Sequence, residues 1–168
     1  MTISLSQAAQ PVFQKMLGNL KAILQKAEAH AVAKKIDPSV LLNARLFPDM
    51  FALTRQVQIA TDGAKGACAR LSGREIPKYE DNETTFAELY ARIDKTIAFI
   101  ASVQPGEIDG QEDRDITITP GGKEMHFKGA PYLLHWAHPN FYFHVTTAYA
   151  ILRHCGVEVG KRDYLGAV

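Results

Sequence analysis

The sequence predicts an all-α fold: a single domain of residues 1–168, built as an antiparallel four-helix bundle with a small β-hairpin inserted before the last long helix. Three observations support this prediction. Apolar residues recur with a period of 3.6 in four long segments, short polar turns separate the segments, and a pattern of period two occurs between the third and the fourth. With 168 residues, of which 46% are hydrophobic, the chain can bury one ordinary core.

The first helix is predicted from Ser4 to about Ala33, with polar residues between its apolar positions. It cannot continue past Asp37, because Pro38 disfavours a helical residue before it and lacks a backbone donor. A short segment then leads to Pro48. The apolar positions of the first helix are Val12, Phe13, Met16, Leu17, Leu20, Ile23, Leu24 and Ala27.

The second helix is predicted between Pro48, which suits a first helical turn, and Gly73, which suits a helix end. After Ile59 its apolar stripe consists mainly of alanine, glycine and cysteine. Such small residues let a neighbouring helix approach closely. We therefore expect this helix to lie in the interior of the bundle.

The third helix is predicted from Thr84, which with Glu88 provides an N-terminal signal, through Ile100 to a stop at Pro105. The sequence DITITPGGKEMHFKG follows it. Two short alternating runs flank Pro120-Gly121-Gly122, which is typical of a β-hairpin. We interpret this hairpin as an insertion in the bundle, because it is too small to form a second domain.

The fourth helix is predicted to begin near Ala130 and to end at Gly156. Pro139 lies inside it. A proline there cannot donate to the carbonyl group of His135 and clashes with it. We therefore expect a kink or a break in this helix after His135.

Composition and charge argue against several classes of partner. Nineteen basic and eighteen acidic residues leave a net charge of +1, and no basic run exceeds Lys34-Lys35, so we expect no nucleic-acid partner. Because no long apolar window and no cationic leader pattern occur, we expect a cytoplasmic protein without a membrane partner. Cys68 and Cys155 are far apart and outside any CxxC motif, so we interpret them as buried, inert thiols.

Four of the six histidines lie between His135 and Gly156, which raises the question of a metal site. His135 and His138 are three residues apart, but no third ligand is close in sequence, and these two are the candidate ligands if a metal is present. His144 has no histidine or carboxylate four residues away on either side. His154 falls on another face of the helix. The spacing therefore does not predict a tight metal site.

Two segments resemble the DinB/YfiT-like superfamily, in an uncharacterised bacterial branch known as a domain of unknown function. They are HPNFYFHVTTAYAILRHCGVEVGKRDYLG and RQVQIATDGAKGACARLSG. The resemblance implies a four-helix bundle that binds a divalent metal, such as zinc, nickel or manganese, through three histidines. His144 occupies one of those positions, but Asn140 occupies the second, and the third falls near Gln58 or Gln56. We therefore expect a degenerate metal site and no tightly held cofactor.

A more specific hypothesis than a degenerate metal site is a small-molecule pocket without a metal. His144, Asn140, Gln58 and Asp62 are predicted to line a cavity between the second and fourth helices. Asp62 lies one turn beyond Gln58 and is expected to orient His144, the candidate catalytic general base. The alternative is that these residues belong to an ordinary core, with His144 hydrogen-bonded to an amide side chain. The predicted aromatic walls of the pocket are Trp136, Phe141, Tyr142 and Tyr149.

Three functional classes remain open from the sequence. The first is a DinB-like bundle that binds or acts on a small molecule. The second is a divalent-metal-dependent transferase or hydrolase that uses His144, with His135 or His138 as further ligands. The third is a structural homodimer. Its contact surface would come from the hairpin or from Phe47, Met50 and Phe51.

Overall fold

The computed structural model describes residues 3–166; residues 1, 2, 167 and 168 of the predicted domain lie outside this part of the chain. The predicted all-α bundle with a hairpin before its last long helix is confirmed. The elements in chain order are α1 (Leu5–Lys34), α2 (Pro38–Leu42), α3 (Leu53–Ser72), α4 (Phe86–Ser102), α5 (Pro105–Ile108), β1 (Asp115–Ile118), β2 (Met125–Lys128), α6 (Gly129–Tyr132), α7 (His138–His154) and α8 (Lys161–Leu165).

Two neighbouring helix pairs are antiparallel, as predicted. In the pair α1 and α4, the Gln10 side chain donates to the backbone oxygens of Ile100 and Val103, at 3.0 and 2.6 Å. Further along α1, Glu28 accepts a hydrogen bond from Tyr90, which lies nearer the start of α4. The pair α3 and α7 is antiparallel in the same way.

Helices α3 and α4 run parallel, which corrects the predicted alternation of directions. Arg92 of α4 donates to Thr61 in the middle of α3 at 2.7 Å. Arg74, just after α3, donates to the backbone oxygen of Ser102 at the end of α4 at 3.0 Å. The reason is the connection, residues 73–85, which is irregular and extended rather than a short turn. At about 3.3 Å per residue it is long enough to return the chain along the bundle.

The second predicted helix begins at Leu53, not at Pro48. The preceding residues form a separate turn, in which the Met50 backbone oxygen accepts a hydrogen bond from Arg45 at 2.7 Å. The backbone amide of Leu53 donates to the oxygen of Ala44 at 2.9 Å. These hydrogen bonds hold residues 44–53 in a turn that precedes α3.

The small residues of α3 lie in the core, as their pattern predicts. Ala60, Ala64, Ala67 and Cys68 are fully buried. Burial raises the pKa of the Cys68 thiol to about 12, so it stays protonated and unreactive at neutral pH. Cys155 is only partly buried, although burial also raises its pKa.

The hairpin packs against the last helix through one face. Ile116 pairs with Phe127 in the antiparallel register, and Ile116 is buried. The chain then passes very close to the preceding loop: a Cβ atom on Gly129 would lie 2.1 Å from the backbone oxygen of Gln111. Glycine at this position therefore lets the hairpin connect directly to α6.

Pro139 does not break the last helix. Instead, α6 and α7 are joined by a π-helical turn, Leu133–Ala137, in which the His138 amide donates to the Leu133 oxygen five residues earlier. The backbone stays helical at Ala137, with φ −64° and ψ −50°. The interruption expected at Pro139 is thus a local widening of the helix one turn before the proline. Within residues 3–166, no helix is both long enough and apolar enough to cross a membrane.

Candidate functional site

A cleft of about 260 Å³ lies between α3 and the last helix, where a cavity was predicted. The structure brings together four of the predicted site residues there: Asp62, Trp136, Asn140 and His144. Phe141, a predicted wall, also lines it. The remaining lining residues are Ile59, Gly63, Arg70, Tyr132 and Ala137.

His144 is half-buried and oriented by Gln56. Its Nδ1 atom lies 2.7 Å from Gln56 Oε1, which can only accept, so Nδ1 carries the proton. The Gln56 amide is itself fixed, because its nitrogen donates to the Phe51 backbone oxygen at 3.1 Å. Burial, with a smaller effect from the positive charge of Arg55, lowers the pKa of His144. The imidazole is therefore neutral at physiological pH, with Nε2 as a hydrogen-bond acceptor.

Asp62 does not orient His144, contrary to the sequence-based hypothesis. Its Oδ1 atom accepts hydrogen bonds from Lys65 at 2.5 Å and from Arg92 at 2.8 Å. Arg92 belongs to α4, and the Lys65 ammonium group lies over the ring of Tyr79 in the connection before α4. Both partners therefore hold the carboxylate on the α4 side of α3, away from the imidazole. Asp62 forms an edge of the cleft, and its charge is balanced by these two cations.

Gln58 and Tyr149 lie outside the cleft. Gln58 is buried towards the connection before α4, where its amide donates to Glu83 at 2.8 Å. Tyr149 packs its ring against Tyr164 of α8, with 6.0 Å between centroids. The reason is helical geometry: at 100° per residue, Gln58 points about 200° away from Gln56, and Tyr149 about 140° away from His144.

A buried arginine that the sequence pattern did not predict lies behind the cleft. Arg92 is 2% exposed and forms ion pairs with Asp62, Asp81 and Glu83 at 2.8, 3.0 and 2.9 Å. We call these four residues the Arg92 cluster; it ties residues 73–85 to the bundle. A signal was present in the sequence, because Arg92 lies three residues after buried Leu89 on the interior face of α4.

Arg70, a second site residue that the sequence pattern did not predict, lies at the hairpin end of the cleft. Its Nη1 atom donates to the Tyr132 hydroxyl at 3.0 Å. Trp136 stands beside it and packs against Phe127 of β2, with 5.8 Å between ring centroids. The hairpin therefore supports one wall of the cleft.

Comparison with known proteins identifies the family. The family described as Domain of unknown function (DUF1993) matches residues 5–165. The chain belongs to this family. The crystal structure of a DinB family member protein from Shewanella denitrificans is similar to the structure of this chain. The two sequences are 47% identical, the match covers 98% of this chain and 93% of the Shewanella chain, and the TM-score is 0.91. The fold is therefore a DinB-like bundle. No curated protein is significantly similar to this chain.

The residues around His144 in the DUF1993 chain do not fit a divalent metal. His144 is joined there by the amides of Gln56 and Asn140, and the Asn140 amide donates to the Trp136 backbone oxygen at 3.3 Å. Amide oxygens are poor ligands for zinc or nickel. Within residues 3–166, no three histidine, cysteine, aspartate or glutamate side chains are arranged to hold a metal ion.

His135 and His138, the predicted alternative ligands, do not converge with His144. His135 is exposed on the last helix. His138 is half-buried between Phe13 and Tyr142, with ring centroids 5.2 and 5.7 Å away. Burial lowers the pKa of His138, so it too is neutral at physiological pH.

The cleft of the DUF1993 chain combines three chemical properties. His144 supplies a neutral imidazole with an acceptor nitrogen. Arg70 supplies a positive charge at the opposite end. Trp136 and Phe141 provide an aromatic surface between them. This mixture of apolar walls and few polar groups is typical of sites for small organic molecules.

Proposed function

We propose that this DUF1993 protein binds a small organic molecule in the cleft between α3 and α7. The observation that carries the proposal is the orientation of His144 by Gln56 at the edge of an aromatic-walled cleft. A histidine held through Nδ1 presents Nε2 to a ligand in one direction. Because the ligand does not have to order this side chain, less free energy is lost on binding.

The volume of the cleft sets the size of the ligand. At about 260 Å³, it is near the lower end of the range for small-molecule sites, roughly 300–1,000 Å³. It would therefore hold a compound of one ring with short substituents. His144 would accept a hydrogen bond from a hydroxyl or amine of that compound, and His144 remains the candidate general base if a reaction takes place.

We propose that this function does not use a resident zinc, nickel or manganese ion. The donor set of one imidazole and two amides supports this view, because transition metals favour imidazole and thiolate ligands. The metal-dependent transferase or hydrolase hypothesis would need His135 or His138 near His144. Exposure of His135 and packing of His138 against Phe13 argue against that arrangement.

The experiment is a thermal-shift screen of small neutral, cationic and anionic compounds. A ligand that binds the native state raises the melting temperature in a concentration-dependent way. Each active compound is then tested on His144→Ala and on the matched control His154→Ala, which removes an exposed histidine of the same helix outside the cleft. We expect only His144→Ala to weaken the shift. Compounds that shift all three proteins equally bind elsewhere and would contradict the proposal.

Self-association is a second candidate function, favoured by exposed apolar side chains on the segment before α3 and on α7. Phe47, Phe51 and Phe143 are 64%, 55% and 55% exposed. Leu46 and Phe143 line a shallow groove of about 360 Å³ together with Tyr142. A second copy of the chain is the proposed occupant, because burying exposed phenylalanines would favour association.

A further inference from the structure

Arg70 is a cation with unused donors. Its guanidinium donates to the Tyr132 hydroxyl at 3.0 Å, but no carboxylate oxygen of residues 3–166 lies within 4.0 Å of it. Two other arginines near α3 are different: Arg74 pairs with Glu107 at 2.6 Å, and Arg92 pairs with three carboxylates. Since a guanidinium has five N–H donors, most of those of Arg70 remain available to a ligand.

The Arg70 head group is held in one place. It lies across Gly66, where a Cβ atom would be only 2.6 Å from Nη1. The buried Tyr132 hydroxyl fixes the same nitrogen from the other helix. Glycine at position 66 therefore makes room for the guanidinium against the backbone of α3, and the charge is positioned before any ligand arrives.

Tyr132 adds a second donor at the same point. Its oxygen accepts the hydrogen bond from Arg70, so its own proton is free to be donated elsewhere. Burial raises the pKa of Tyr132, which keeps the phenol protonated. A guanidinium and a neutral phenol side by side can both donate to the two oxygens of one carboxylate.

The surroundings of Arg70 suit an aromatic ligand. Arg70 and Trp136 line both the α3–α7 cleft and a second cleft of about 270 Å³ formed with the hairpin residues Ile118, Thr119 and Pro120. The two clefts therefore meet at this pair. An indole beside a fixed cation offers a flat surface for a ring that carries an acidic group.

We propose that the ligand of the cleft is a small aromatic carboxylic acid, with its carboxylate on Arg70 and Tyr132 and its ring against Trp136. This inference rests on the proposed ligand-binding function. The other end of the ligand reaches towards His144 and Asn140, and Asp62 lies on the same edge. Arg70 supplies one positive charge, because Asp62 is already paired with Lys65 and Arg92. That charge matches a monoanion, whereas a phosphate dianion would need further positive charge.

The single tryptophan of the chain makes the test direct. Because Trp136 is the only tryptophan, its fluorescence reports on this site alone. The probes are 4-hydroxyphenylacetate, its neutral amide and phenyl phosphate, titrated into the full-length protein. We expect the carboxylate to change the fluorescence with saturation, and the amide and the phosphate to bind at least roughly tenfold more weakly.

Two variants test the assignment to Arg70 and Tyr132. Arg70→Gln should weaken binding of the carboxylate roughly tenfold or more, and Tyr132→Phe should weaken it by a smaller factor. The matched control Arg153→Gln removes an exposed arginine of α7 outside the cleft and should leave the affinity unchanged. Circular dichroism and melting temperature show whether each variant is folded.

The outcomes separate this inference from the proposed function. If the amide or the phosphate binds as well as the carboxylate, or if Arg70→Gln binds it normally, the cleft binds ligands but the carboxylate assignment is wrong. If none of the probes changes the fluorescence and the broader thermal-shift screen is also negative, both proposals fail. Saturable binding that is lost in Arg70→Gln and kept in Arg153→Gln supports both.

Discussion

Nδ1 of His144 lies 2.7 Å from Oε1 of Gln56, so the imidazole of the last helix is tied to the interior side of α3. The Gln56 side chain is 1% exposed and has no access to water as an alternative donor. The pair therefore satisfies a buried carbonyl oxygen and sets the tautomer of the histidine at the same time.

Removing the imidazole should destabilise the protein without changing its metal content. In His144→Ala the buried Gln56 oxygen loses its donor, at an expected cost of about 1–3 kcal/mol in the free energy of unfolding. Urea denaturation measures this change, and metal analysis of untagged protein, with and without added zinc, nickel and manganese, measures the metal. His154→Ala, the exposed control, should change stability by less than about 0.5 kcal/mol. Stoichiometric metal in the wild type that disappears in His144→Ala would show that His144 is a ligand.

The two half-buried histidines should make the protein less stable as the pH falls. Burial lowers the pKa of His138, and burial followed by the charge of Arg55 lowers that of His144, from the ordinary 6.5. Below pH 6.5 these two histidines bind protons more readily in the unfolded chain than in the folded chain. The free energy of unfolding is therefore highest above that pH, and it decreases as the pH falls through the lower pKa values of the folded state.

The pH effect can be assigned by substitution. We expect the free energy of unfolding to decrease between about pH 7 and about pH 5, and the variant His138→Leu with His144→Gln to show a flatter dependence. His154→Gln is the control and should keep the slope of the wild type. If the double variant retains the full slope, other groups are responsible.

Loss of Arg92 should release the connection between α3 and α4. Arg92→Leu leaves Asp62, Asp81 and Glu83 without their shared cation, and we expect a loss of roughly 3 kcal/mol. This is at the low end for breaking buried ion pairs, since two of the carboxylates keep contact with water. Limited proteolysis should cut within residues 73–85 in this variant. Equal protection in Arg92→Leu and the wild type would contradict the role of the Arg92 cluster.

Two glycine substitutions should have opposite effects. A Cβ atom on Gly129 would meet the Gln111 backbone oxygen at 2.1 Å, so Gly129→Ala should destabilise the protein by about 1–3 kcal/mol. Gly18 lies in α1, where a Cβ atom would have no atom of another element within 4 Å. Gly18→Ala should therefore stabilise the protein by about 0.5–1 kcal/mol. Thermal unfolding of both variants measures the difference, and a tolerated Gly129→Ala would mean that the hairpin junction can shift.

The exposed phenylalanines should support self-association. We expect sedimentation of the wild type to show a dimer at micromolar concentration, and Phe51→Ser with Phe143→Ser to shift it to monomer. Leu134→Ser, which changes another exposed apolar residue of the last helix, should leave the dimer intact. A monomeric wild type across that concentration range would rule out this surface as a dimer contact.

Helical periodicity located part of the cleft but could not define all of it. It placed Asp62, Trp136, Asn140 and His144 close enough to meet. The choice between Gln56 and Gln58 depended on how α3 is rotated about its axis, and two residues correspond to about 200° of that rotation. The position of Tyr149 was predicted wrongly because the rotation of the last helix about its axis was not known. An aromatic residue on a helix does not indicate which neighbouring helix its side chain contacts.

The four amphipathic segments, the small-residue interior of α3, the hairpin and the lack of a close metal-ligand spacing around His144 could all be predicted from the sequence. Each of these depends on residues near one another in the chain. The parallel arrangement of α3 and α4, the pairing of Arg92 with three carboxylates and the contact of Arg70 with Tyr132 became visible only in the folded chain. Those relationships join residues far apart in sequence, and they follow from the path of residues 73–85 and from the packing of the hairpin against the last helix.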